Sequence, residues 1–167
     1  MTKRWIPNIL TTINLFAGVV SLFSAFTGQF FLALVLILGA ALFDSLDGRI
    51  ARRLNVTSEF GKQLDSLADL TSFGIAPAAM DFLLNFAHVG WNGYVLVTVF
   101  PICGALRLAR FSITNMRGYY LGLPITAAGP LLAAAAYLGQ ALPVAGQVFI
   151  LVVLSALMIS TIKVPKI

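Results

Sequence analysis

The chain has 167 residues, of which 59% are apolar and only 10% are charged, and its formal net charge is +5. Its mean hydropathy is +0.94. Soluble domains are roughly 45–50% apolar and about 25% charged, so this composition excludes both a soluble globular protein and a disordered chain. A single cysteine, Cys103, excludes a disulfide framework. Residues 1–167 are therefore predicted to form one membrane domain.

Six apolar segments, separated by turn signals, follow one another along the chain. They cover residues 9–26, 30–50, 64–86, 92–111, 121–141 and 145–162. Each has the length of a membrane-spanning helix, which takes about 17–25 residues. We therefore predict an all-α membrane protein with six transmembrane helices.

The positive charges predict the orientation of these helices. If the N-terminus is cytoplasmic, all eleven Lys and Arg residues fall in cytoplasmic segments or at the helix ends beside them. Cytoplasmic loops of membrane proteins carry such an excess of positive charge. We therefore expect both termini in the cytoplasm. The expected location is a prokaryotic cytoplasmic membrane. The same charges are too scattered to form a nucleic-acid groove, so no nucleic-acid partner is expected.

Five of the six acidic residues lie between positions 44 and 69. Asp44 and Asp47 are three residues apart near the end of the second segment. Residues at this spacing lie on the same face of a helix. Asp65 and Asp69 are four apart near the start of the third segment and also share a face. The short connection makes these helices antiparallel neighbours. Four carboxylates are therefore predicted to converge at the cytoplasmic side, and ionisable residues in membrane segments mark function.

Clustered carboxylates repel one another unless cations neutralise them. Oxygen ligands without His or Cys suit Mg²⁺ or Mn²⁺, which share their coordination with substrate phosphates. Two such ions, about 3.5–4 Å apart, stabilise the attacking and the leaving oxygen of a phosphoryl transfer. The alternative is that the acids are solvated residues paired with nearby cations at helix ends, and Glu59 is assigned to that role.

Small residues beside the acids leave room for a bulky ligand against the helix backbones. They are Gly48, Ala51 and Gly61. Arg52 shares a helix face with Gly48 and can bind a phosphate through two parallel hydrogen bonds. The cleft is therefore predicted to bind a phosphate-bearing substrate.

These residues also form one spaced motif, which reads Asp44-x2-Asp47-Gly48-x2-Ala51-Arg52-x8-Gly61-x3-Asp65-x3-Asp69. The motif resembles the complete signature of the CDP-alcohol phosphotransferase family. The resemblance implies an integral membrane enzyme with six core helices, in the fold of that family. It also implies that an alcohol displaces CMP from a CDP-linked substrate with the help of Mg²⁺ or Mn²⁺.

The resemblance implies a role for each residue of the motif. Asp44, Asp47, Asp65 and Asp69 would hold the metal pair, and Asp69 would also be the general base for the attacking hydroxyl. The residues expected to surround the CDP group are Gly48, Ala51, Arg52, Ser58 and Gly61. For Ser58, a turn or a helix cap is an equal alternative.

Further stretches resemble the members of the family that use serine as the acceptor. They are residues 72–78, 106–111, 120–128 and 157–166. The implied reaction is direct transfer of the phosphatidyl group of CDP-diacylglycerol to the hydroxyl of L-serine, giving phosphatidylserine and CMP. Glycerol 3-phosphate or inositol phosphate as the acceptor, and an ether lipid as the donor, remain alternatives.

Two further polar sets are candidates for substrate binding. Arg107 and Arg110 share a face at the predicted cytoplasmic end of the fourth helix, where they would bind the serine carboxylate or a lipid phosphate. Their alternative role is anchoring at the membrane interface. Asn8, Thr11 and Asn14 form a stripe on the first helix. Asn8 and Thr11 are assigned to the CDP moiety, with hydrogen bonds between helices as the alternative.

A function from another class is a divalent-cation transporter with the acids as its selectivity site. The acids lie toward the inner side rather than along a pore, which favours an enzyme whose active site faces the cytoplasm. The family resemblance suggests a homodimer among membrane lipids, and the alanine run 133–136 allows close helix contact.

Overall fold

The computed structural model of the chain describes residues 5–54, 58–113, 119–161 and 163–165. For residues 5, 6, 47, 50–54, 113, 119–121 and 163–165 it describes the backbone alone. Within these ranges the fold is helical apart from two three-residue strands.

The first two helices form an antiparallel hairpin. Helix α1 covers Trp5–Phe26 and α2 covers Phe30–Leu54. The turn between them contains Gly28, whose φ of 77° is a left-handed conformation that glycine adopts without steric cost. The Ser21 hydroxyl donates a 2.9 Å hydrogen bond to the Ala33 carbonyl, which ties the two helices together inside the bundle.

The third predicted segment is a composite helix, defined here as Glu59–Val89. It consists of α3 (Glu59–Asp69), a π-helical turn (Leu70–Ile75), α4 (Ala76–Asp81), a second π-helical turn (Phe82–Phe86) and a 3₁₀ turn (Ala87–Val89). It begins five residues before the predicted segment, at the cap formed by Ser58. The first π-helical turn starts directly after Asp69, and such turns are frequent at functional sites.

The remaining helices are α5 (Trp91–Ile113), α6 (Ile125–Leu138) and α7 (Val144–Ile159). Strand β1 (Tyr119–Leu121) pairs antiparallel with β2 (Lys163–Pro165) between the start of α6 and the end of α7. This ribbon is a difference from the all-α prediction. Helix α6 begins later than predicted because Gly122 has a φ of 71°, and Gly122 lies so close to the last α7 carbonyls that a side chain would not fit there.

Large apolar side chains lie both inside and outside the bundle. Phe73, Phe86 and Phe100 are fully buried, whereas Phe16 and Phe149 are each 69% exposed. Water does not tolerate so many exposed large apolar groups on one chain, but lipid does. The exterior is therefore that of a membrane protein.

Three described helices are long and apolar enough to cross a membrane, and they are Pro7–Phe26, Glu59–Val89 and Trp91–Ser112. In α2 the described side chains before residue 47 form the apolar stretch Phe30–Leu46, and α6 and α7 have 14 and 16 residues. At 1.5 Å per residue these last two helices are about 21 and 24 Å long, shorter than a hydrocarbon core of about 30 Å. The count of six spans therefore stays a prediction.

A buried polar network joins the composite helix to the α6–α7 turn. The Asn85 amide donates to the Asp81 carboxylate at 2.8 Å and to the Ala136 carbonyl at 3.3 Å. The Gln147 amide donates to the Asn85 side-chain oxygen at 3.0 Å and to the Gly139 carbonyl at 3.2 Å. Asp81 thus has a structural partner at the end of the bundle remote from the other aspartates.

Candidate active site

Asp44, Asp65 and Asp69 lie together between α2 and α3. One carboxylate oxygen from each lies within 4.8 Å of the others. Asp69 is 7% exposed, and Asp44 and Asp65 are half-buried. The four-residue spacing puts Asp65 and Asp69 on one face of α3, and the antiparallel course of α2 brings Asp44 to the same level. The predicted convergence is therefore present for these three residues.

The fourth predicted metal ligand, Asp47, lies in α2 one turn after Asp44, but its side chain is outside the described residues. The same holds for the side chains of Ala51 and Arg52. Their backbone places all three in the helix that carries Asp44. Their predicted contacts with metal, cytidine and diphosphate stay predictions.

The three carboxylates form a set that fits a hard divalent cation. They supply oxygen ligands alone, at a mutual separation that a Mg²⁺ or Mn²⁺ ion can bridge. Without a cation, three carboxylates at this distance in a poorly solvated cleft would repel one another strongly. The donor set is therefore that of a metal site for phosphate chemistry.

Gly61 and Gly48, beside the aspartates, have different surroundings: Gly61 lies in close contact with other residues, and Gly48 does not. A Cβ added at Gly61 would meet the Asn8 side-chain oxygen at 3.0 Å and the Ser58 hydroxyl at 3.1 Å. A Cβ added at Gly48 would meet no heavy atom of the described residues within 4 Å. The structure thus gathers three predicted CDP-binding residues around one point, with open room across the cleft at Gly48.

Ser58 caps the N-terminus of α3. Its hydroxyl accepts a 3.0 Å hydrogen bond from the Gly61 backbone N–H, which has no intrahelical partner. The cap interpretation of Ser58 is confirmed. The hydroxyl is the acceptor in this bond, and binding of CDP by Ser58 stays a prediction.

The polar stripe of α1 faces the composite helix. The Thr11 hydroxyl donates to the Pro7 carbonyl at 3.0 Å. The Ser72 hydroxyl donates to the Asn14 backbone carbonyl at 3.0 Å. Thr11, Asn14 and Ser72 are all buried. Asn8 thus lies beside Gly61 at one end of the stripe, and Asn14 contacts the first π-helical turn at the other.

The two candidate acceptor residues have different surroundings. Arg110 donates to the backbone carbonyls of Ile159 at 3.0 Å and Ser160 at 3.2 Å. Arg107 is 8% exposed, inside the bundle. A Cβ at Gly74 would lie 3.7 Å from the Pro101 Cα, so α5 packs against the composite helix just above Asp69.

Arg107 follows Pro101 by six residues, which is about 9 Å along α5. Because α5 runs opposite to the composite helix, this displacement brings Arg107 toward the level of Asp69. The backbone contacts of Arg110 tie it to the end of α7 instead.

Glu59 and Lys62 form an exposed ion pair of 2.7 Å on α3. The prediction that Glu59 is a solvated helix-end acid is therefore confirmed. His88 is also exposed, in the 3₁₀ turn at the far end of the composite helix.

Sequence reasoning gave no role to Ser72 or Gly18. A Cβ at Gly18 would meet the Ser72 Cα at 2.7 Å, so α1 and the composite helix are in backbone contact next to the aspartates. A serine within an apolar segment is a weak signal for such a contact, because hydroxyls in membrane helices often bond their own backbone. The π-helical turn after Asp69 has no sequence signal at all.

Comparison with known proteins gives one family and several relatives. Residues 4–162 match the family described as CDP-alcohol phosphatidyltransferase. A Helicobacter pylori protein named CDP-diacylglycerol–serine O-phosphatidyltransferase is 43% identical over an alignment of 132 residues that covers 75% of this chain and 54% of that protein. This chain thus spans about half the length of that relative.

Two further relatives match over more of their length. A Methanocaldococcus jannaschii protein, also named CDP-diacylglycerol–serine O-phosphatidyltransferase, is 37% identical over 164 residues, covering 96% of this chain and 74% of that protein. A Methanothermobacter thermautotrophicus protein named archaetidylserine synthase is 37% identical over 169 residues, covering 97% of this chain and 70% of that protein.

Proposed function

We propose that this chain, which belongs to the CDP-alcohol phosphatidyltransferase family, transfers the phosphatidyl group of CDP-diacylglycerol to the hydroxyl of L-serine. The products would be phosphatidylserine and CMP. The observation that carries the proposal is the approach of Asp44, Asp65 and Asp69 to within 4.8 Å across two helices. Relatives named for the serine reaction support this acceptor.

The metal would be held by Asp44, Asp65 and Asp69, with Asp47 as the fourth ligand of a pair of Mg²⁺ or Mn²⁺ ions. When bound, such ions neutralise the diphosphate and the charge that develops on the leaving CMP. The cytidine end of the donor would lie near Gly48, Ala51 and Gly61, within reach of Asn8 and Thr11. The Arg52 guanidinium would contact the diphosphate.

Asp69 would act as the general base. It accepts the proton of the serine hydroxyl as that oxygen attacks the phosphorus that carries the diacylglycerol. A new phosphorus–oxygen bond forms to serine, and the bond between this phosphorus and the CMP oxygen breaks. An alcohol is a weak nucleophile at neutral pH, so a base within hydrogen-bond reach is needed. Asp69 suits this role because it is the most buried of the three carboxylates.

Serine would be held by its carboxylate at Arg107, whereas the other acceptor candidate, Arg110, is bonded to the end of α7. Arg107 is the better placed of the two, since it is buried near the level of Asp69. The alternative donor is an ether-linked lipid, and the relative named archaetidylserine synthase favours testing it.

The chain would form a homodimer. Each copy would have six spans, both termini inside and the active site facing the cytoplasm. A test of this topology uses single cysteines in a Cys103→Ala background. A reagent that does not cross membranes should label His88→Cys from outside intact cells and Lys62→Cys only after the membrane is opened. Labelling of both positions from outside would contradict this topology.

The deciding experiment measures CMP release by the purified protein in detergent. The donors are CDP-diacylglycerol and its ether analogue, each with Mg²⁺ or Mn²⁺, and the acceptors are L-serine, glycerol 3-phosphate and inositol 1-phosphate. We expect release that requires L-serine and a divalent ion. Release with a phosphorylated acceptor alone would keep the aspartate chemistry and overturn the assignment of serine. A cation transporter would release no CMP.

A further inference from the structure

Asn14 is a fully buried residue of α1 whose side chain the fold leaves unsatisfied. Neither its carboxamide nitrogen nor its carboxamide oxygen has a hydrogen-bond partner among the residues that the structure describes. Buried polar groups in proteins are nearly always hydrogen-bonded, and a carboxamide has two donor hydrogens and an acceptor oxygen. The Asn14 carboxamide therefore needs a partner from outside the described residues.

Two contacts fix the depth of Asn14 in the bundle. Asn8 lies beside Gly61, and the Asn14 carbonyl accepts the Ser72 hydroxyl. Helix α1 and the composite helix therefore run in the same direction. Asp65 and Asp69 lie between these two contacts. Asp69 precedes Ser72 by three residues, about 4.5 Å along the axis. Asn14 and Asp69 thus lie at nearly the same level.

The direction of the Asn14 side chain follows from helix geometry. Side chains of an α-helix tilt toward its N-terminus, so the Asn14 carboxamide leans toward the end of α1 where Asn8 lies. Beyond Asn14 in the other direction, Gly18 and Ser72 are in close contact and leave no space. The carboxamide therefore leans toward the level of Asp69 on the composite helix.

We propose that the Asn14 carboxamide binds the acceptor substrate and favours a zwitterionic amino acid over a phosphorylated alcohol. This inference rests on the proposed function. The acceptor hydroxyl has to reach Asp69 to lose its proton, so the rest of the acceptor lies near the level of Asn14. A carboxamide offers its oxygen to an ammonium group and its N–H to a carboxylate. It has no positive charge with which to compensate a buried phosphate dianion.

The test compares Asn14→Ala with a matched control, Ser21→Ala. Ser21 is also fully buried on α1, two turns further along, but its hydroxyl is bonded to the Ala33 carbonyl. KM and kcat are measured for L-serine and for CDP-diacylglycerol separately. We expect Asn14→Ala to raise the KM for L-serine about 10-fold or more and to leave the KM for CDP-diacylglycerol within about 2-fold. Ser21→Ala should change neither.

Binding gives a second readout that does not depend on turnover. L-serine is titrated calorimetrically into wild type and variants loaded with CDP and Mn²⁺, and Asn14→Ala should weaken serine binding about 10-fold. Asn14→Ser, which keeps a small hydroxyl, provides the comparison if the alanine variant does not fold.

An increased KM for CDP-diacylglycerol with an unchanged KM for L-serine would overturn the inference and assign Asn14 to the donor. Unchanged KM values for both substrates would also overturn the inference and would indicate that a buried water is the partner of the Asn14 carboxamide. In both cases the wild type still shows serine-dependent CMP release. Loss of that release in the wild type would instead overturn the proposed function.

Discussion

Arg110 and Ile159 are joined by a 3.0 Å hydrogen bond from the guanidinium to the backbone carbonyl at the end of α7. A second bond reaches the Ser160 carbonyl. The last carbonyls of a helix have no intrahelical partners and carry partial negative charge, so a cation stabilises them. Arg110 therefore caps α7 and ties it to α5, in a setting different from that of the buried Arg107.

This difference predicts separate effects for the two arginines. Arg110→Gln should lower the free energy of unfolding by about 1–2 kcal/mol, because charged hydrogen bonds to carbonyls are lost, and should change the KM for L-serine by less than about 3-fold. Arg107→Gln should raise that KM about 10-fold or more. Thermal unfolding in detergent and acceptor kinetics measure the two effects. Equal increases in KM for both variants would contradict the capping role.

Asp69→Asn should reduce kcat by about 10²–10⁴-fold, because an amide cannot accept the proton of the acceptor hydroxyl. Binding of the CDP-lipid, measured by calorimetry, should persist, since the fold and the other carboxylates remain. Glu59→Gln is the matched control, because Glu59 is an exposed acid on the same helix. Loss of CDP-lipid binding in Asp69→Asn would show that its main role is metal ligation.

Asp44→Asn and Asp65→Asn should each weaken Mn²⁺ binding about 100-fold or more, because each removes a charged oxygen ligand. Activity should fall with them and return in part at high Mn²⁺ concentration. Chelation of the wild type should abolish CMP release, and added Mg²⁺ or Mn²⁺ should restore it. Manganese binding is measured by electron paramagnetic resonance. Undiminished binding in both variants would place the metal elsewhere.

Gly48→Ala should leave stability unchanged or slightly increased, since its Cβ meets no atom of the described residues within 4 Å and alanine favours helices. If the donor fills that space, the KM for CDP-diacylglycerol should rise about 10-fold. Gly39→Ala, in the same helix and equally uncrowded, is the control. An unchanged KM in Gly48→Ala would show that no ligand occupies that face.

Asn85→Leu should lower the free energy of unfolding by about 1–2 kcal/mol, because the change leaves the Gln147 amide and the Asp81 carboxylate without their common partner. The loss should be non-additive with Gln147→Leu, since the residues belong to one network. Activity of the folded protein should not change, because this network lies at the remote end of the composite helix. Equal and additive effects of the two variants would contradict a shared network.

Much of the active-site chemistry could be predicted from sequence. Asp44, Asp65 and Asp69 are identifiable because charges are rare in apolar segments, and because spacings of three and four residues fix a shared helix face. The pairing of Glu59 with Lys62 is local to one helix turn and is predictable for the same reason. The roles of Asp47, Ala51 and Arg52 still rest on their motif.

The residues at which some helices begin were harder to predict than the active-site chemistry. Helix α6 starts at Ile125 instead of residue 121 because the chain first pairs with the segment after α7. The two partners, Tyr120 and Val164, are far apart in the sequence, and no local pattern reports such a pairing.

A membrane protein with a carboxylate site was predictable from local features, because composition, periodicity and spacing decide burial in lipid and the face that each acid occupies. The separate settings of Arg107 and Arg110 and the unsatisfied burial of Asn14 follow from the packing of the helices and were not predictable in this way. Those features depend on which helix packs against which, at what depth. Such contacts arise between residues distant in the chain, whose meeting is set by the packing of the whole bundle.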